Sequence, residues 1–263
     1  MFVIIFGLFP FLMIIYSLSF YYYLEDTNNN KIVKLPYFIH SFIFDIILVF
    51  IKITNTSTII MNIEAKKRYK KMLKLEISEK NKKKILFYGD STFNYWNTLE
   101  QDFECENIIN CSFHRSRSID LLNNIYSLVL KWKPWNLFIH IGGNDYDTTI
   151  RKDKLVEYVS ENIKKMVYLN IKNTYLEKMY IIFTPRYPNC SIDKWNYLLK
   201  LRSKSEYKIN ELYGSYKIKI IDLQKTVLDP TYYLFDKKHF SKKGFEFMKN
   251  NIKYYIPLTT NEK

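Results

Sequence analysis

Two long apolar stretches lie near the N-terminus of the chain. The first, residues 2–24, contains 23 residues and no charged side chain, which is long enough to cross a bilayer as a helix. No basic segment precedes it and no small-residue cleavage site follows it, and Tyr21, Tyr22 and Tyr23 suit the interface of a membrane. We therefore expect residues 1–24 to form a retained transmembrane anchor, with a buried hydrophobic helix as the alternative.

The second apolar run covers residues 35–51 and is shorter. It contains His40 and Asp45, and a carboxylate is costly at the centre of a bilayer. We therefore favour an interfacial helix, or a helix packed on the following domain, over a second span.

A basic segment follows between residues 64 and 84, with ten Lys or Arg against three Glu. Apolar residues recur there at helical spacing, at positions 61, 65, 69, 72 and 73, which predicts a basic amphipathic helix. Beside a membrane such a helix would favour anionic head groups. A solvated linker is the alternative, and we assign residues 25–83 to the second hydrophobic segment and this basic helix or linker.

From residue 84 onward, short β-rich runs alternate with longer stretches of helical periodicity. The predicted strands are 85–89, 107–110, 137–142, 179–184 and 218–223. The predicted helices are 93–101, 118–131, 154–171, 193–213 and 241–251. This alternation predicts a parallel sheet with helices on both faces, in which an active site lies beyond the carboxyl ends of the strands.

The composition bears on nucleic-acid binding and on disulfide bonding. Of 263 residues, 48% are hydrophobic, and the formal net charge is +14. Because Lys is frequent along the whole chain, we assign most of this charge to solvated faces. The sequence has neither zinc-finger spacing nor an RNA-binding aromatic signature, and we therefore expect no nucleic-acid partner. The three cysteines show no motif spacing, which argues against a disulfide framework, and we expect Cys111 to be a small buried side chain.

Candidate chemistry lies at the ends of the first and third predicted strands. The first ends in Gly89, Asp90 and Ser91, where a glycine permits a tight turn and the serine begins a helix whose N-terminal amides favour negative charge. A simple helix cap is the alternative. The third strand runs into residues 142–145, Gly-Gly-Asn-Asp. This places the Asn144 amide at the same edge, with a loop turn as the alternative.

A carboxylate and an imidazole lie close together near the C-terminus. Asp236 and His239 are three residues apart after the last predicted strand, so the carboxylate can orient the imidazole and stabilise its charged form. The other histidines are His40, His114 and His140, and we expect none of them to take this role. A surface histidine is the alternative for His239.

Together these segments resemble the SGNH, or GDSL, hydrolases over about residues 84–252. The family blocks Gly-Asp-Ser, Gly-x-Asn-Asp and Asp-x-x-His are matched at 89–91, 142–145 and 236–239. The resemblance implies an α/β fold, a flavodoxin-like three-layer sandwich with a five-stranded parallel sheet. We place this domain at residues 84–255, behind a hydrophobic N-terminal helical region.

The resemblance also implies a set of site residues. Ser91 is the nucleophile, and Asp236 and His239 complete the triad. The oxyanion is held by the Ser91 amide, the Asn144 side chain and the Arg115 amide. No metal or cofactor is implied.

The oxyanion loop departs from the family pattern at Arg115. When the loop is aligned with the family pattern at Asn110 and at residues 120–122, the family has a glycine at position 115. Any residue except proline supplies a backbone amide, but the conformational freedom of glycine is lost. Either the loop is held by other contacts, with the Arg115 side chain turned outward or towards an anionic substrate group, or the hole is impaired. We favour the first, because Ser91, Asn144 and the Asp–His pair are intact.

The implied function is hydrolysis of carboxylic esters through an acyl-enzyme, on a small-molecule, lipid or glycan ester. Acyl transfer or deacetylation on glycans, and a catalytically impaired interaction protein tethered to a membrane, remain open as alternatives. Trp96, Tyr146, Arg186 and Tyr187 flank strand ends and are candidates for the substrate pocket, or for ordinary packing. We expect the chain to be anchored to a membrane through its N-terminus, and the Lys-rich run at 66–84 favours the cytoplasmic side.

Overall fold

The computed structural model describes residues 63–70, 72–73, 83–105, 107–172, 174–213, 217–223 and 229–256. All of them belong to one compact unit, Ile60–Lys263. The expected anchor at 1–24 and the second apolar run at 35–51 lie outside the described residues. Among the residues that are described, no helix is both long and apolar enough to cross a bilayer.

The centre of this unit is a sheet of five parallel strands. The strands are β1 Ile85–Gly89, β2 Ile108–Asn110, β3 Asn136–Ile141, β4 Lys178–Phe183 and β5 Ile218–Ile221. Their order is β2-β1-β3-β4-β5, which is the flavodoxin-like order with its switch point between β1 and β3. Every residue of β1 and β3 is buried. This confirms the predicted five-stranded parallel sheet.

After β1, the described part of the chain forms six α-helices around the sheet. They are α1 Ser91–Asn94, α2 Leu99–Asp102, α3 Ser118–Leu128, α4 Lys152–Ile171, α5 Ile192–Tyr213 and α6 Lys242–Ile252. Four of these match predicted helices to within about three residues. The predicted helix 93–101 was wrong as a single element, because the chain turns at 95–98 and divides it into α1 and α2.

The two faces of the sheet are covered differently. Tyr88 faces α3, where its hydroxyl donates to the Leu121 carbonyl at 2.6 Å. On the opposite face, the rings of Phe87, Phe138 and Tyr180 stack across three neighbouring strands, with centroids 4.7 and 4.5 Å apart. Because successive side chains of a strand point to opposite faces of the sheet, Phe87 and Tyr88 pack into different layers. This fits the expected three-layer architecture.

Residues before the first strand also contribute to the core of this unit. Residues 63–70 are helical, and Ala65 and Met72 are 2% and 1% exposed. Arg68 donates a hydrogen bond to the side chain of Asn94 at the end of α1. Residues 64–70 and 72–73 of the basic segment are therefore helical, and Ala65 and Met72 lie on a buried face.

Candidate active site

The end of β1 sets the position of Ser91. At Gly89, a Cβ atom would lie 2.5 Å from the backbone oxygen of His140 on the neighbouring strand, so only glycine fits this approach. Asp90 then caps α1 by accepting from the Thr92 amide at 2.9 Å. Ser91 begins the helix and is 5% exposed. The hydroxyl therefore lies at the carboxyl edge of the sheet, beside the switch point.

The C-terminal loop brings a histidine and a carboxylate to this hydroxyl. His239 Nε2 lies 3.0 Å from Ser91 Oγ, and His239 Nδ1 lies 2.5 Å from Asp236 Oδ2. With Nδ1 protonated towards the carboxylate, Nε2 is free to accept the serine proton. The three side chains thus form a continuous hydrogen-bonded chain of serine, histidine and aspartate.

The Asp236 carboxylate is held in its ionised form. Burial acts to raise its pKa, but the hydrogen bond and charge of His239 outweigh burial and bring the pKa below its usual value. The backbone amides of Lys238 and His239 also donate to Asp236 Oδ1, at 2.9 and 3.0 Å. An ionised carboxylate is what stabilises a protonated imidazole.

Short backbone contacts shape the loop that carries this pair. Tyr233 and Phe240 form an isolated antiparallel bridge, and the Leu234 amide donates to the His239 carbonyl at 2.7 Å. The Tyr233 hydroxyl donates to the Arg186 carbonyl at 2.8 Å. The loop is therefore closed on itself and tied to the segment after β4.

The predicted oxyanion turn carries Arg115 in the left-handed region, at φ 58°. The turn is fixed to the end of β1, because the Ser116 hydroxyl donates to the Gly89 carbonyl at 3.0 Å. The Asn144 side-chain amide donates to the Ser116 carbonyl at 3.1 Å, and its second N–H remains as a further donor. Both predicted oxyanion segments therefore meet beside the turn that presents Ser91.

The loop after β3 is held by a buried carboxylate. Gly142 has φ 108°, a conformation that side chains disfavour. Asp145 is 1% exposed and accepts from the Ser118 hydroxyl at 2.6 Å and the Ser118 amide at 3.0 Å. The Asn162 amide donates to the same hydroxyl at 3.0 Å. Burial raises the pKa of Asp145 to about 6, although the hydrogen bonds from Ser118 oppose it.

A buried contact between a histidine and a carboxylate lies behind the nucleophile. His140 Nδ1 is 2.9 Å from Asp90 Oδ1, and the His140 ring is fully buried. Burial acts to raise the pKa of Asp90, but the charge and hydrogen bond of His140 bring it below the usual value. Sequence reasoning missed this pair, since the two residues lie 50 positions apart and meet only through the register of β1 and β3.

Two rings flank the His239 imidazole. Tyr95 packs edge-on against it with centroids 4.9 Å apart, and the His114 ring lies 6.3 Å away. Burial, together with the positive charges of Arg115, His239 and Lys238, lowers the pKa of His114 to about 3. His114 is therefore neutral at ordinary pH.

Three of the four candidate pocket residues lie in the segments around the site. The Lys194 ammonium lies 5.5 Å from the centre of the Tyr146 ring and 6.0 Å from that of Tyr187. It also pairs with Asp147 at 2.9 Å. Arg186 is exposed and precedes Tyr187 in the segment that holds the C-terminal loop.

Trp96 packs in the core instead. It is 1% exposed, its ring stacks on Phe245 at 5.2 Å, and its indole N–H donates to Asp102 at 2.5 Å. Of the two interpretations of this residue, ordinary packing is the one that the structure supports.

Solved structures of bacterial hydrolases share this architecture. A lipase/acylhydrolase from Enterococcus faecalis matches with a TM-score of 0.54 at 21% identity, covering 66% of this chain and 95% of that one. A GDSL-like lipase from Bacteroides thetaiotaomicron matches with a TM-score of 0.53 at 20% identity, covering 71% and 96%. The chain has the SGNH/GDSL hydrolase fold.

A catalytic mutant of an acetylxylan esterase from Geobacillus stearothermophilus also has a fold similar to that of this chain. It matches with a TM-score of 0.52 at 17% identity, covering 65% of this chain and 92% of that one. At the level of sequence, no family model and no curated protein matches the chain. The likeness that these comparisons show is therefore one of fold.

Proposed function

We propose that the protein is a serine hydrolase that cleaves carboxylic esters through an acyl-enzyme. The observation that carries this proposal is the hydrogen-bonded chain from Ser91 through His239 to Asp236. It lies at the carboxyl end of β1, where a fold of this kind places its ligands. The structural neighbours, a lipase/acylhydrolase, a GDSL-like lipase and an acetylxylan esterase, agree with ester chemistry.

The proposed reaction begins with proton transfer. His239 Nε2 takes the proton of Ser91 Oγ as the oxygen attacks the ester carbonyl, and Asp236 stabilises the imidazolium that forms. The same proton then passes to the leaving alcohol as the acyl-enzyme is formed. Water attacks the acyl-enzyme in the second half, again with His239 as base, and releases the acid.

The negative oxygen of the tetrahedral intermediate needs hydrogen-bond donors. We assign this role to the Ser91 amide, the Arg115 amide and the second N–H of the Asn144 side chain. Removing one such donor typically costs ~10²–10³ in turnover. Asn144 is also bonded to Ser116, so its amide is already oriented before substrate binds.

A fluorophosphonate probe tests the nucleophile directly. We expect the folded protein to be labelled at Ser91 and Ser91→Ala to remain unlabelled, with hydrolysis of simple esters reduced about 10⁴-fold or more. Ser203→Ala, on the outer part of α5, is the matched control and should label normally. A folded wild-type protein that does not react at Ser91 would contradict the proposal and favour an interaction protein on a hydrolase fold.

We also propose that the enzyme is attached to a membrane by residues 1–24, on the cytoplasmic side. This rests on the uncharged run of 23 residues and on the basic segment that follows. Alkaline carbonate should leave the full chain in the membrane fraction, and release into the supernatant would contradict the anchor. External protease should spare the domain in right-side-out vesicles, whereas digestion would place it outside.

A further inference from the structure

His140 lies directly against the turn that presents Ser91. In the register of the sheet, Gly89 at the end of β1 is paired with His140 on β3. The imidazole reaches the next residue of the turn, with Nδ1 2.9 Å from Asp90 Oδ1, and its ring centroid lies 5.5 Å from that of Phe93. One residue of β3 therefore contacts the chain on both sides of the nucleophile.

The contact between His140 and Asp90 is closed to solvent. The His140 side chain is 0% exposed and the Asp90 side chain 5% exposed, so bulk water is kept away from their hydrogen bond. His140 Nε2 is also buried, and it has no hydrogen-bond partner in the described part of the chain. Within that part, the bond to Asp90 is therefore what holds the imidazole in its orientation.

The proton of this hydrogen bond belongs to the imidazole. Burial acts to raise the pKa of Asp90, but the contact with His140 outweighs burial and holds the pKa below its usual value. An ionised carboxylate can only accept a hydrogen bond, so Nδ1 of His140 is the donor.

Asp90 connects the buried histidine to the nucleophile. Its side chain accepts from the Thr92 amide at 2.9 Å, and its backbone carbonyl accepts from the Asn94 amide at 3.1 Å. The peptide between Asp90 and Ser91 is thus held by the side chain of its first residue and by the helix that begins with its second. This is the peptide whose N–H we assign to the oxyanion, so a shift of the Asp90 side chain moves the amide and Oγ of Ser91 together.

The other ties to this turn reach different residues. The Ser116 hydroxyl donates to the Gly89 carbonyl at 3.0 Å, and the Asn110 side chain donates to the Phe93 carbonyl at 2.6 Å. As far as the structure describes the chain, the Asp90 side chain is bonded to Thr92, which is part of the same turn, and to His140. His140 is therefore its link to the rest of the sheet.

On the basis of the proposed ester hydrolysis, we propose that His140 is a positioning residue for the nucleophile, which acts through Asp90 and does not touch the substrate. It fixes the direction of the Ser91 amide towards the oxyanion and the approach of Ser91 Oγ to His239. A misplacement of reacting groups by about 1 Å can cost about 10² in rate. Because His140 and Asp90 are both buried, the effect falls on the chemical step and not on binding of the ester.

Two replacements of similar size separate the hydrogen bond from packing. In His140→Asn the side-chain amide can donate from nearly the position of Nδ1, whereas His140→Leu has no donor. With 4-nitrophenyl butyrate, we expect His140→Leu to lower kcat about 10- to 100-fold with KM little changed, and His140→Asn to recover most of the loss. The rate of fluorophosphonate labelling of Ser91 should follow kcat. An unchanged kcat in His140→Leu, an equal loss in both variants, or a change confined to KM overturns the proposal.

A double variant separates positioning from stability. His140→Leu leaves a buried carboxylate without its partner, which destabilises the fold, and Asp90→Asn removes that charge while keeping a side chain that can cap α1. We expect the double variant to unfold at a higher urea concentration than His140→Leu but to keep its low kcat. Recovery of kcat together with stability would show that His140 matters only for folding, and would overturn the positioning role.

Leu128→Ala is the control for a loss of stability elsewhere. Leu128 is 0% exposed at the C-terminal end of α3, and a helix between parallel strands runs back from the edge that carries the site. The variant should unfold at a lower urea concentration and keep the wild-type kcat while folded. A kcat as low as that of His140→Leu would show that activity follows stability, against the proposal. Failure of the positioning role leaves Ser91 labelled in the wild type, whereas an unlabelled wild type overturns the hydrolase proposal and this one with it.

Discussion

Arg115 combines a proposed oxyanion amide with an unfavourable backbone conformation. Because glycine adopts the left-handed region without a Cβ penalty, we expect Arg115→Gly to raise the free energy of unfolding by up to about 1 kcal/mol. Lys133 has φ 50° outside the site, so Lys133→Gly should show a similar gain. Urea unfolding checks both variants, and a clear loss of stability in Arg115→Gly would mean that its side chain holds the turn.

Asp145, in the loop after β3, couples the stability of the protein to pH. Its pKa is about 6 in the folded protein and near 3.8 when unfolded, so the folded state holds the proton more tightly. The stabilisation is complete below pH 3.8 and is lost as the pH rises through 6, an effect of about 3 kcal/mol. Asp145→Asn should lack this dependence, so its stability relative to wild type should improve between pH 4 and 7. The free energy of unfolding is measured for both proteins at each pH. If the difference between Asp145→Asn and the wild type is the same at pH 4 and pH 7, the prediction is wrong.

At the residue scale, the sequence predicted some of the side-chain contacts in the site and not others. Ser91, His239 and Asp236 were expected to meet, because each follows a strand of one parallel sheet and the order matches a known family. The contact of Asp90 with His140 depends on strand register, which short motifs do not specify. His114 beside His239 likewise depends on how two loops pack, and no local pattern marks it.

At the scale of single elements, the helical residues 63–70 and 72–73 contribute to the domain core. Met72 is 1% exposed, so Met72→Ala should cost about 2 to 5 kcal/mol of stability through the cavity that it leaves. Ile63→Ala, at a residue that is 49% exposed, should cost far less. Chemical denaturation of both variants tests this, and equal effects would show that the segment is not packed in solution.

The strands were predicted more closely than the first helix. Uninterrupted apolar runs mark buried parallel strands, and β1 begins and ends where expected. The stretch 93–101 has helical periodicity, but Trp96 must reach the core beside Phe245, and the chain turns there. Tertiary packing of one large side chain thus overrides a local pattern.

At the scale of the whole molecule, the proposed site is assembled from distant parts of the chain, with Ser91 and His239 separated by 148 positions. Strand alternation predicted a parallel sheet, and the family resemblance implied the flavodoxin-like architecture. Periodicity says nothing of which strands pair, so the order β2-β1-β3-β4-β5 is known only from the structure. The geometry of the site therefore depends on how these distant parts of the chain pack together.

Reactivity should therefore be lost together with the fold. We expect fluorophosphonate labelling of Ser91 and far-ultraviolet ellipticity to fall at the same urea concentration, as in a cooperative transition. A loss of labelling well before the ellipticity changes would indicate that the C-terminal loop with His239 detaches first.

Alkylation of the buried cysteines can be used to measure local opening of the native protein. Cys105, Cys111 and Cys190 are all unpaired and buried, and burial raises the pKa of Cys111 to about 12. Cys111 follows β2, with its sulfur 3.2 Å from the Phe87 carbonyl on β1. Alkylation at this position requires the two strands to separate, so its rate would report how often the edge of the sheet nearest the nucleophile opens in the native protein.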